Sequence, residues 1–472
     1  MGLLNMCGAV LRVSVSNPDF FMMSPSITIP EYALTVVQRL ERFGYEAYVV
    51  GGCVRDSLLG RTPKDWDVCT NATPQQVLGV FKRFNVIKTG LKHGTVTVMV
   101  NHEPVEVTTF RIDGEYTDNR HPDAVTFVSR VEEDLARRDF TINAMAYNPT
   151  RGLVDAFGGQ QDLAQGLIRC VGEPDARFNE DGLRIMRALR FAARYDFAIE
   201  RETAFSMRRN RHLLENVSVE RILTELKGIL VGNGALSMMV AFPEIFCTII
   251  PELSPMVGFE QRNPHHIYDV WTHTAHAVQA VPADPVLRLT MLLHDVAKPA
   301  TFSVDEKGKG HFYGHPEKSA AMAKKILLHL KSDMATLENV VTLVRVHDHA
   351  FPSTRPGMRR FIGRLGMPII EQLFEVKKAD QSAQSDHEQE KKKAELRAAA
   401  LLIEDLLDEP PAFTVKDLAI GGRDLIALGI KPSPAMGELL ERLLSEVQDE
   451  KLENTREALT LRVQHLLRSG VH

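Results

Sequence analysis

Asp65 and Asp67 flank a tryptophan in the run Asp65-Trp66-Asp67-Val68-Cys69, and shortly upstream the chain reads Ala47-Tyr48-Val49-Val50-Gly51-Gly52-Cys53-Val54-Arg55. On a strand, side chains alternate, so the two carboxylates point one way and Trp66 the other. Side by side they suit a hard cation such as Mg²⁺. The apolar run from Ala47 to Val50 predicts a buried strand, Gly51-Gly52 a break, and Cys53 to Leu59 the first turns of a helix. That order brings backbone N–H groups and a helix N-terminus to one point, which favours a bound phosphate. Arg55 adds a guanidinium fork just inside the helix. Taken singly, Asp-x-Asp also fits a solvated strand end, and Gly-Gly fits any turn. Their order within a short stretch is what makes a metal and phosphate site of them.

The elements that must position these residues belong to a long chain. Its 472 residues exceed what one core accommodates and predict three or four domains. With 44% hydrophobic and 25% charged residues the composition is that of an ordinary soluble protein. The net charge of −5 gives no global attraction for nucleic acid, so a basic surface would have to be local. Five cysteines (Cys7, Cys53, Cys69, Cys170, Cys247) form no Cys-x-x-Cys pair, which fits a reducing cytosol, and no apolar run is long enough to span a membrane. Residues 1–28 read as an extension, with neither the basic start of a signal peptide nor a myristoylation pattern. Met22 or Met23 is an alternative start. The first helix is expected from Glu31 to Phe43.

The strings GGCVRDSLLG and KDWDVCTNATP resemble the head of the class II tRNA nucleotidyltransferase and bacterial poly(A) polymerase family, within the polymerase-beta-like nucleotidyltransferases. The resemblance runs from about residue 29 to the C-terminus and is most specific through residues 48–230. It implies an α+β fold: a head with a mixed or antiparallel sheet and helices (29–165), then an all-α neck (166–256), an HD domain (257–385) and a helical tail (386–472). It also implies template-independent, Mg²⁺-dependent addition of CCA to the 3′ end of tRNA from CTP and ATP, with pyrophosphate released. Asp65 and Asp67 become the catalytic Mg²⁺ ligands, and Gly52, Arg55 and Arg138 the triphosphate ligands.

Further along, Thr73-Pro74 opens a helix expected to reach Phe84, and residues 94–100 and 105–110 alternate like antiparallel strands. Glu106, on the second, either joins Asp65 and Asp67 as a third carboxylate or stands exposed; the sequence leaves both open. Residues 111–122 read as a mobile loop, and in the resembled family a flexible loop here is tied to adding the terminal A. In EEDLARRDFTINAMAY, from Glu132 to Tyr147, Arg137 and Arg138 offer guanidinium groups that Asp139 can hold, or they form a solvated pair. The resemblance assigns Asp139 and Asn143 to contacts with sugar or backbone. Residues 155–163 then punctuate the end of the head.

Asn179 to Tyr195, NEDGLRIMRALRFAARY, predicts one helix. It would carry Arg184, Arg187, Arg190 and Arg194 on one face, with Asp181 one turn before Arg184 and apolar residues opposite. Residues 181–227 hold ten Lys/Arg against seven Asp/Glu, a locally basic stretch, though such a row also fits a solvated face. The motif resembles the element by which this family reads the incoming base with protein alone. Asp181 would accept the exocyclic amine of C or A and Arg184 would donate to ring acceptors, with Arg187 and Arg190 in support. U and G present a carbonyl where Asp181 needs a donor. Residues 219–230 match the helix that closes this region.

From about Phe259, histidines recur in helical sequence: His273, His294-Asp295, His315, His347, then Asp380. Each alone fits a core or surface residue. The ordered series resembles the HD phosphohydrolase superfamily, which implies a divalent transition metal that activates water. His273, His294, Asp295 and Asp380 would be its ligands, His315 and His347 would complete the site or hold a second ion, and Lys298 would contact phosphate. Residues 386–408 read as a solvated helix ended by Glu409-Pro410-Pro411. Residues 429–437 form a helix–loop–helix that either meets an RNA phosphate or packs as a hairpin. The alternatives to CCA addition are poly(A) polymerisation, addition of CC or A alone, and RNA binding on a degenerate head.

Overall fold

The computed structural model describes residues 26–114, 125–262, 267–384, 389–408 and 412–468. The N-terminal extension before residue 26, most of the loop expected at 111–122, and Glu409 to Pro411 lie outside the described residues. The chain falls into two compact units, residues 1–251 and 252–472.

The first unit opens with the helix Glu31–Arg42, whose Ala33, Val36, Val37 and Leu40 are buried at helical spacing, with Glu31 in its first turn and Arg39 and Arg42 in its last. The strands that follow are β1 (Ala47–Val50), β2 (Val68–Thr70), β3 (Asn85–Ile87), β4 (Thr95–Val100), β5 (Glu103–Thr109), β6 (Arg111–Asp113), β7 (Val125–Phe127), β8 (Ala146–Asn148) and β9 (Gly152–Val154). Seven of them form one mixed sheet in the order β3-β4-β5-β2-β1-β8-β9, while β6 and β7 pair separately. Only β2 and β5 run parallel in that sheet. Every residue of the interior strand β1 is buried, whereas β4 alternates buried valines with half-buried residues. Tyr48, Val50, Cys69, Phe110, Leu135 and Ala146 form a core on these strands. The helix after Thr73 has its capping box with Gln76 and ends at Val80, short of Phe84.

Three expectations change here. The carboxylate strand begins at Val68, and Asp65 to Asp67 form its unpaired lead-in. The single helix expected over 179–195 is two: Pro174–Glu180 and Leu183–Tyr195, with Asp181 extended at φ −143° and ψ 104°. Gly182, which starts the second helix, packs so closely on the chain at Leu213 that a side chain there would lie 2.9 Å from the Leu213 carbonyl oxygen. The region expected to be all helical also contains a parallel strand pair, Leu167–Ile168 with Ala198–Ile199.

The second unit is helical except for a small hairpin, Ser303–Val304 with Gly310–His311. Its helices include Val270–Ala280, Pro285–Leu293, His315–His329, Met334–Val346 and Met367–Ser382. Toward the C-terminus, Gly422–Ala427 and Pro434–Gln448 make the expected helix–loop–helix around Leu425, Leu443, Val447 and Leu459. No described helix is long and apolar enough to cross a membrane.

Candidate functional sites

The first site starts where β1 and β2 meet. The Val50 N–H donates to the Asp67 carbonyl at 3.0 Å, tying the lead-in to β1. Asp65 is exposed, Trp66 buried and Asp67 half-buried, the alternation expected of extended chain. Burial pushes the Asp67 carboxyl up, and the charges of Glu106 and Asp65 push it further against Arg138, to about 6. Glu106 lies on β5, opposite Thr97. A carboxylate whose charged form is disfavoured by burial and by neighbouring negative charge gains from a hard divalent cation.

Beside it, Gly51 has φ +78°, and a side-chain carbon there would lie 2.9 Å from Arg138 Nη1. The glycine thus lets the guanidinium lie over the turn that enters the helix Gly52–Leu58. Arg138 pairs with the fully buried Asp134 at 3.3 Å, and its Nε is buried without a hydrogen-bond partner among the described residues. Arg138 keeps donor capacity for an anion.

Arg55 is held from several sides. Only 5% exposed, it donates to Asp56 at 2.9 Å and to the Asn143 side-chain oxygen, with its guanidinium 5.2 Å and 5.0 Å from the Phe191 and Tyr195 ring centroids. Asn143 in turn donates to Asp139 at 3.1 Å, and Asp139 holds Arg187 at 2.7 Å. A continuous chain, Asp56–Arg55–Asn143–Asp139–Arg187, so joins the Gly52–Leu58 helix to the Leu183–Tyr195 helix. Burial opposes ionisation of Asp139, yet Arg187 and the Asn143 amide hold its carboxyl down at about 2. Asp134, not Asp139, is what holds Arg137 and Arg138.

The expected base-reading pair is also divided. Asp181 accepts the Leu183 N–H at 3.0 Å and pairs with Arg221 at 2.9 Å, while Arg184 pairs with Glu180 at 2.5 Å and donates to the Arg177 and Arg137 carbonyls. Arg190 pairs with the buried Glu225 at 2.5 Å and lies over Phe191. A side chain on Gly228 would come within 2.6 Å of the Arg190 stem, so the glycine admits it.

The second site lies in the second unit, where the histidines meet two carboxylates. His273 and His294 place Nε2 at 3.4 Å and 3.1 Å from Asp295 Oδ2, and at 3.0 Å and 3.6 Å from Asp380 Oδ1. His315 and His347 place theirs 3.4 Å and 3.8 Å from Asp295 Oδ1. Each Nδ1 faces a main-chain carbonyl: Ala383 at 3.1 Å, Met291 at 2.7 Å, Phe312 at 2.8 Å and Val344 at 2.7 Å, in chain order of the histidines. A carbonyl can only accept, so Nδ1 carries the proton and the Nε2 lone pairs converge on the carboxylates. Lone pairs facing carboxylate oxygens call for a shared cation. Burial would lower the His294 pKa, but Asp295 and Asp380 raise it to about 10, so a proton takes that role when no metal does. Lys298 sits 2.7 Å from Asp295 and donates to Gln261 at 2.9 Å, which ties it to the cluster.

Residues 47–169 match a family model described as the poly A polymerase head domain, residues 196–254 one described as a probable RNA- and SrmB-binding site of polymerase A, and residues 315–463 one described as a putative tRNA nucleotidyltransferase domain 2. The chain is 32% identical over 446 residues to the CCA-adding enzyme of Limosilactobacillus reuteri, covering 93% of this chain and 98% of that enzyme. The chain belongs to the CCA-adding enzyme family. It is also 41% identical over 286 residues to the CCA-adding enzyme of Geobacillus thermodenitrificans, covering 59% of this chain and 69% of that enzyme. The fold matches the crystal structure of the Bacillus stearothermophilus CCA-adding enzyme in complex with CTP, with TM-score 0.70, 27% identity, and coverage of 94% of this chain and 99% of that one. The Thermotoga maritima CCA-adding enzyme complexed with tRNA shares the fold at TM-score 0.55 and 22% identity, over 92% and 94% of the two chains.

Sequence reasoning missed four partners in this member of the CCA-adding family: Asp134, Glu180, Arg221 and Glu225. Each is an ordinary charged residue on a helix or at its end. Asp134 and Glu180 carried a local signal, three or four residues before the arginines they pair with, whereas Arg221 and Glu225 carried none.

Proposed function

We propose that this chain adds CCA to the 3′ end of tRNA from CTP and ATP, without a nucleic-acid template, releasing pyrophosphate. Family membership supports the activity; the acidic group of Asp65, Asp67 and Glu106 beside the Arg138-covered glycine turn carries the assignment of the site. In this reading Asp65 and Asp67 hold Mg²⁺ and Glu106 backs them. Mg²⁺, when bound, supplies Lewis-acid stabilisation of the triphosphate and of the attacking 3′-hydroxyl. Gly52, Arg55 and Arg138 bind the triphosphate. Arg55, Asn143, Asp139 and Arg187 keep the glycine turn and the Arg helix in fixed relation, so that the base is read at a set distance from the phosphates. Asp181 accepts the exocyclic amine of C or A and Arg184 donates to the ring acceptors beside it, with Arg187 and Arg190 in support. Residues 29–165, 166–256, 257–385 and 386–472 act as head, neck, HD domain and tail, in the cytoplasm.

The test is incubation of purified protein with tRNAs ending before CCA, after C and after CC, each with one labelled nucleoside triphosphate. Ordered addition of C, C and A is expected. Addition of A alone or of CC alone marks a partial enzyme, a long A tract marks a poly(A) polymerase, and no transfer with intact tRNA binding marks an RNA-binding protein.

The His–Asp cluster supports a second activity on the same chain. Four imidazoles whose Nδ1 atoms are pinned and whose Nε2 atoms converge fit a transition metal such as Mn²⁺, Ni²⁺ or Fe²⁺ better than Mg²⁺, which prefers oxygen. When bound, such a metal activates water for phosphate ester hydrolysis. The chain's own residues fix the imidazoles through main-chain carbonyls and hold Asp295 through Lys298. A phosphate on a damaged tRNA end, such as a 2′,3′-cyclic phosphate, is the fitting substrate, since its removal restores the hydroxyl that the head extends.

A further inference from the structure

Two residues ahead of His315, Tyr313 is 76% exposed. It is nevertheless held in place. Its ring lies parallel to that of His311, with centroids 5.2 Å apart and planes 7° apart. The Tyr313 hydroxyl donates to His311 Nδ1 at 3.3 Å, and His311 Nε2 donates to Asp305 at 2.9 Å. Asp305 accepts the backbone N–H groups of Lys307 and Lys309. The hairpin beneath is fixed too, because Gly310 packs so close to the Gln261 carbonyl that a side-chain carbon would lie 2.3 Å from its oxygen. One face of the Tyr313 ring is therefore backed by His311.

The neighbouring residues of the same turn face the metal cluster. The Phe312 carbonyl accepts from His315 Nδ1, and the Phe312 ring lies 5.3 Å from Lys298 Nζ. Two residues of chain reach at most about 7 Å, which keeps the Tyr313 and His315 Cα atoms within one nucleotide's length of each other. A pinned, solvent-facing aromatic ring is what a nucleobase stacks on at little ordering cost.

Resting on the reading of the His–Asp cluster as a phosphohydrolase centre, we propose that Tyr313, backed by His311 and Asp305, is a stacking platform for the nucleobase of the nucleotide whose phosphate is presented to that cluster. The substrate class is then a nucleotide or RNA end, not a small phosphate ester.

The full-length protein and its Tyr313→Ala and Tyr313→Phe variants are compared on 2′,3′-cyclic AMP and on glycerol 1,2-cyclic phosphate, which lacks a base, with Mn²⁺ and Ni²⁺. Binding of 2′,3′-cyclic AMP is measured in parallel by equilibrium dialysis in EDTA. The wild type should prefer cyclic AMP. Tyr313→Ala should raise KM for cyclic AMP about ten- to a hundredfold, as loss of one base stack does, with the glycerol compound unaffected, and should weaken dialysis binding alike. Tyr313→Phe should keep both. If both compounds are hydrolysed and Tyr313→Ala changes neither, the platform is refuted while the hydrolase stands. If neither is hydrolysed with either metal, the hydrolase reading fails, and dialysis alone decides: no binding, or equal binding by Tyr313→Ala, overturns the platform.

Discussion

Asp181 gives its carboxylate to Arg221, 2.9 Å away on the helix Val219–Leu230, and not to Arg184, three residues along its own chain. Asp181 itself is the extended residue between the two helices, at φ −143° and ψ 104°, and so lies outside the turns of the Arg-bearing helix. A carboxylate oxygen has two lone pairs, so an Asp181 anchored by Arg221 still accepts from an amine.

Asp181→Ala should therefore relax nucleotide choice, letting UTP and GTP compete, because the acceptor that rejects them is gone. Loss of one such contact is worth about 1–3 kcal/mol of discrimination. Arg221→Ala should move discrimination the same way by a smaller amount, since the carboxylate remains but loses its anchor. Both are read as kcat/KM for the four triphosphates on tRNA ending before CCA. Unchanged preferences in Asp181→Ala would remove Asp181 from base reading.

Asp67→Asn, and equally Asp65→Ala, should abolish nucleotide transfer while tRNA binding persists. The amide cannot replace a charged Mg²⁺ ligand at a position where burial, and then the charges of Glu106 and Asp65, have already raised the Asp67 pKa to about 6. Transfer assays over a range of Mg²⁺, beside a filter-binding assay for tRNA, check this. Retained transfer at ordinary Mg²⁺ in either variant sinks the assignment.

The strand, glycine pair and paired aspartates were legible in the sequence because each is a local pattern, set by alternation, conformation or spacing. So was the Arg face over 184–194, which keeps Ile185, Met186, Ala188, Leu189 and Ala192 buried on its other side. The long-range partners were not legible. Asp139 meets Arg187 across 48 residues, and Asp181 meets Arg221 across 40. Nothing local distinguishes a buried ion pair of that separation from two solvated charges. Arg55 illustrates the consequence: its place beside the glycines is local and legible, whereas the aromatic residues that enclose it lie on a helix far along the chain.

Asp139 links this network to pH. Its folded pKa of about 2 lies below its ordinary value of 3.8, so its contribution to stability is present above about pH 4 and is lost as pH falls through 2. The gap of nearly two units, at about 1.36 kcal/mol per unit, is worth about 2 kcal/mol. Asp139→Asn should be less stable than wild type by roughly that amount at pH 7, and the difference should shrink between pH 4 and pH 2. Urea unfolding across that range measures it, and a pH-independent difference would contradict the ionic role.

Gly51→Ala tests the turn. At φ +78° and ψ −120° the backbone is strained for any side chain, at about 1–3 kcal/mol, and the new carbon would press on Arg138. The variant should unfold earlier and show a raised KM for CTP and ATP with a smaller loss in kcat. Wild-type stability together with wild-type KM would show that Arg138 does not depend on the glycine.

The last prediction separates the two activities. Asp295 is the residue that every histidine of the second site approaches, through Oδ2 for His273 and His294 and through Oδ1 for His315 and His347. Asp295→Ala removes both oxygens at once and leaves convergent imidazoles with half the negative charge that gathers a cation, as well as an unpaired Lys298. Bound transition metal, measured by elemental analysis after dialysis against Mn²⁺ or Ni²⁺, should fall to background, and hydrolysis of cyclic phosphodiesters should be lost with it. CCA addition should stay close to normal, because Asp65, Asp67 and Glu106 share no ligand with the cluster. An Asp295→Asn variant, nearer in shape, guards against the trivial outcome of local unfolding: it should also lose metal while keeping the wild-type melting transition. If both variants bind metal as wild type does, the His–Asp cluster is a structural core of the helical unit and not a metal centre.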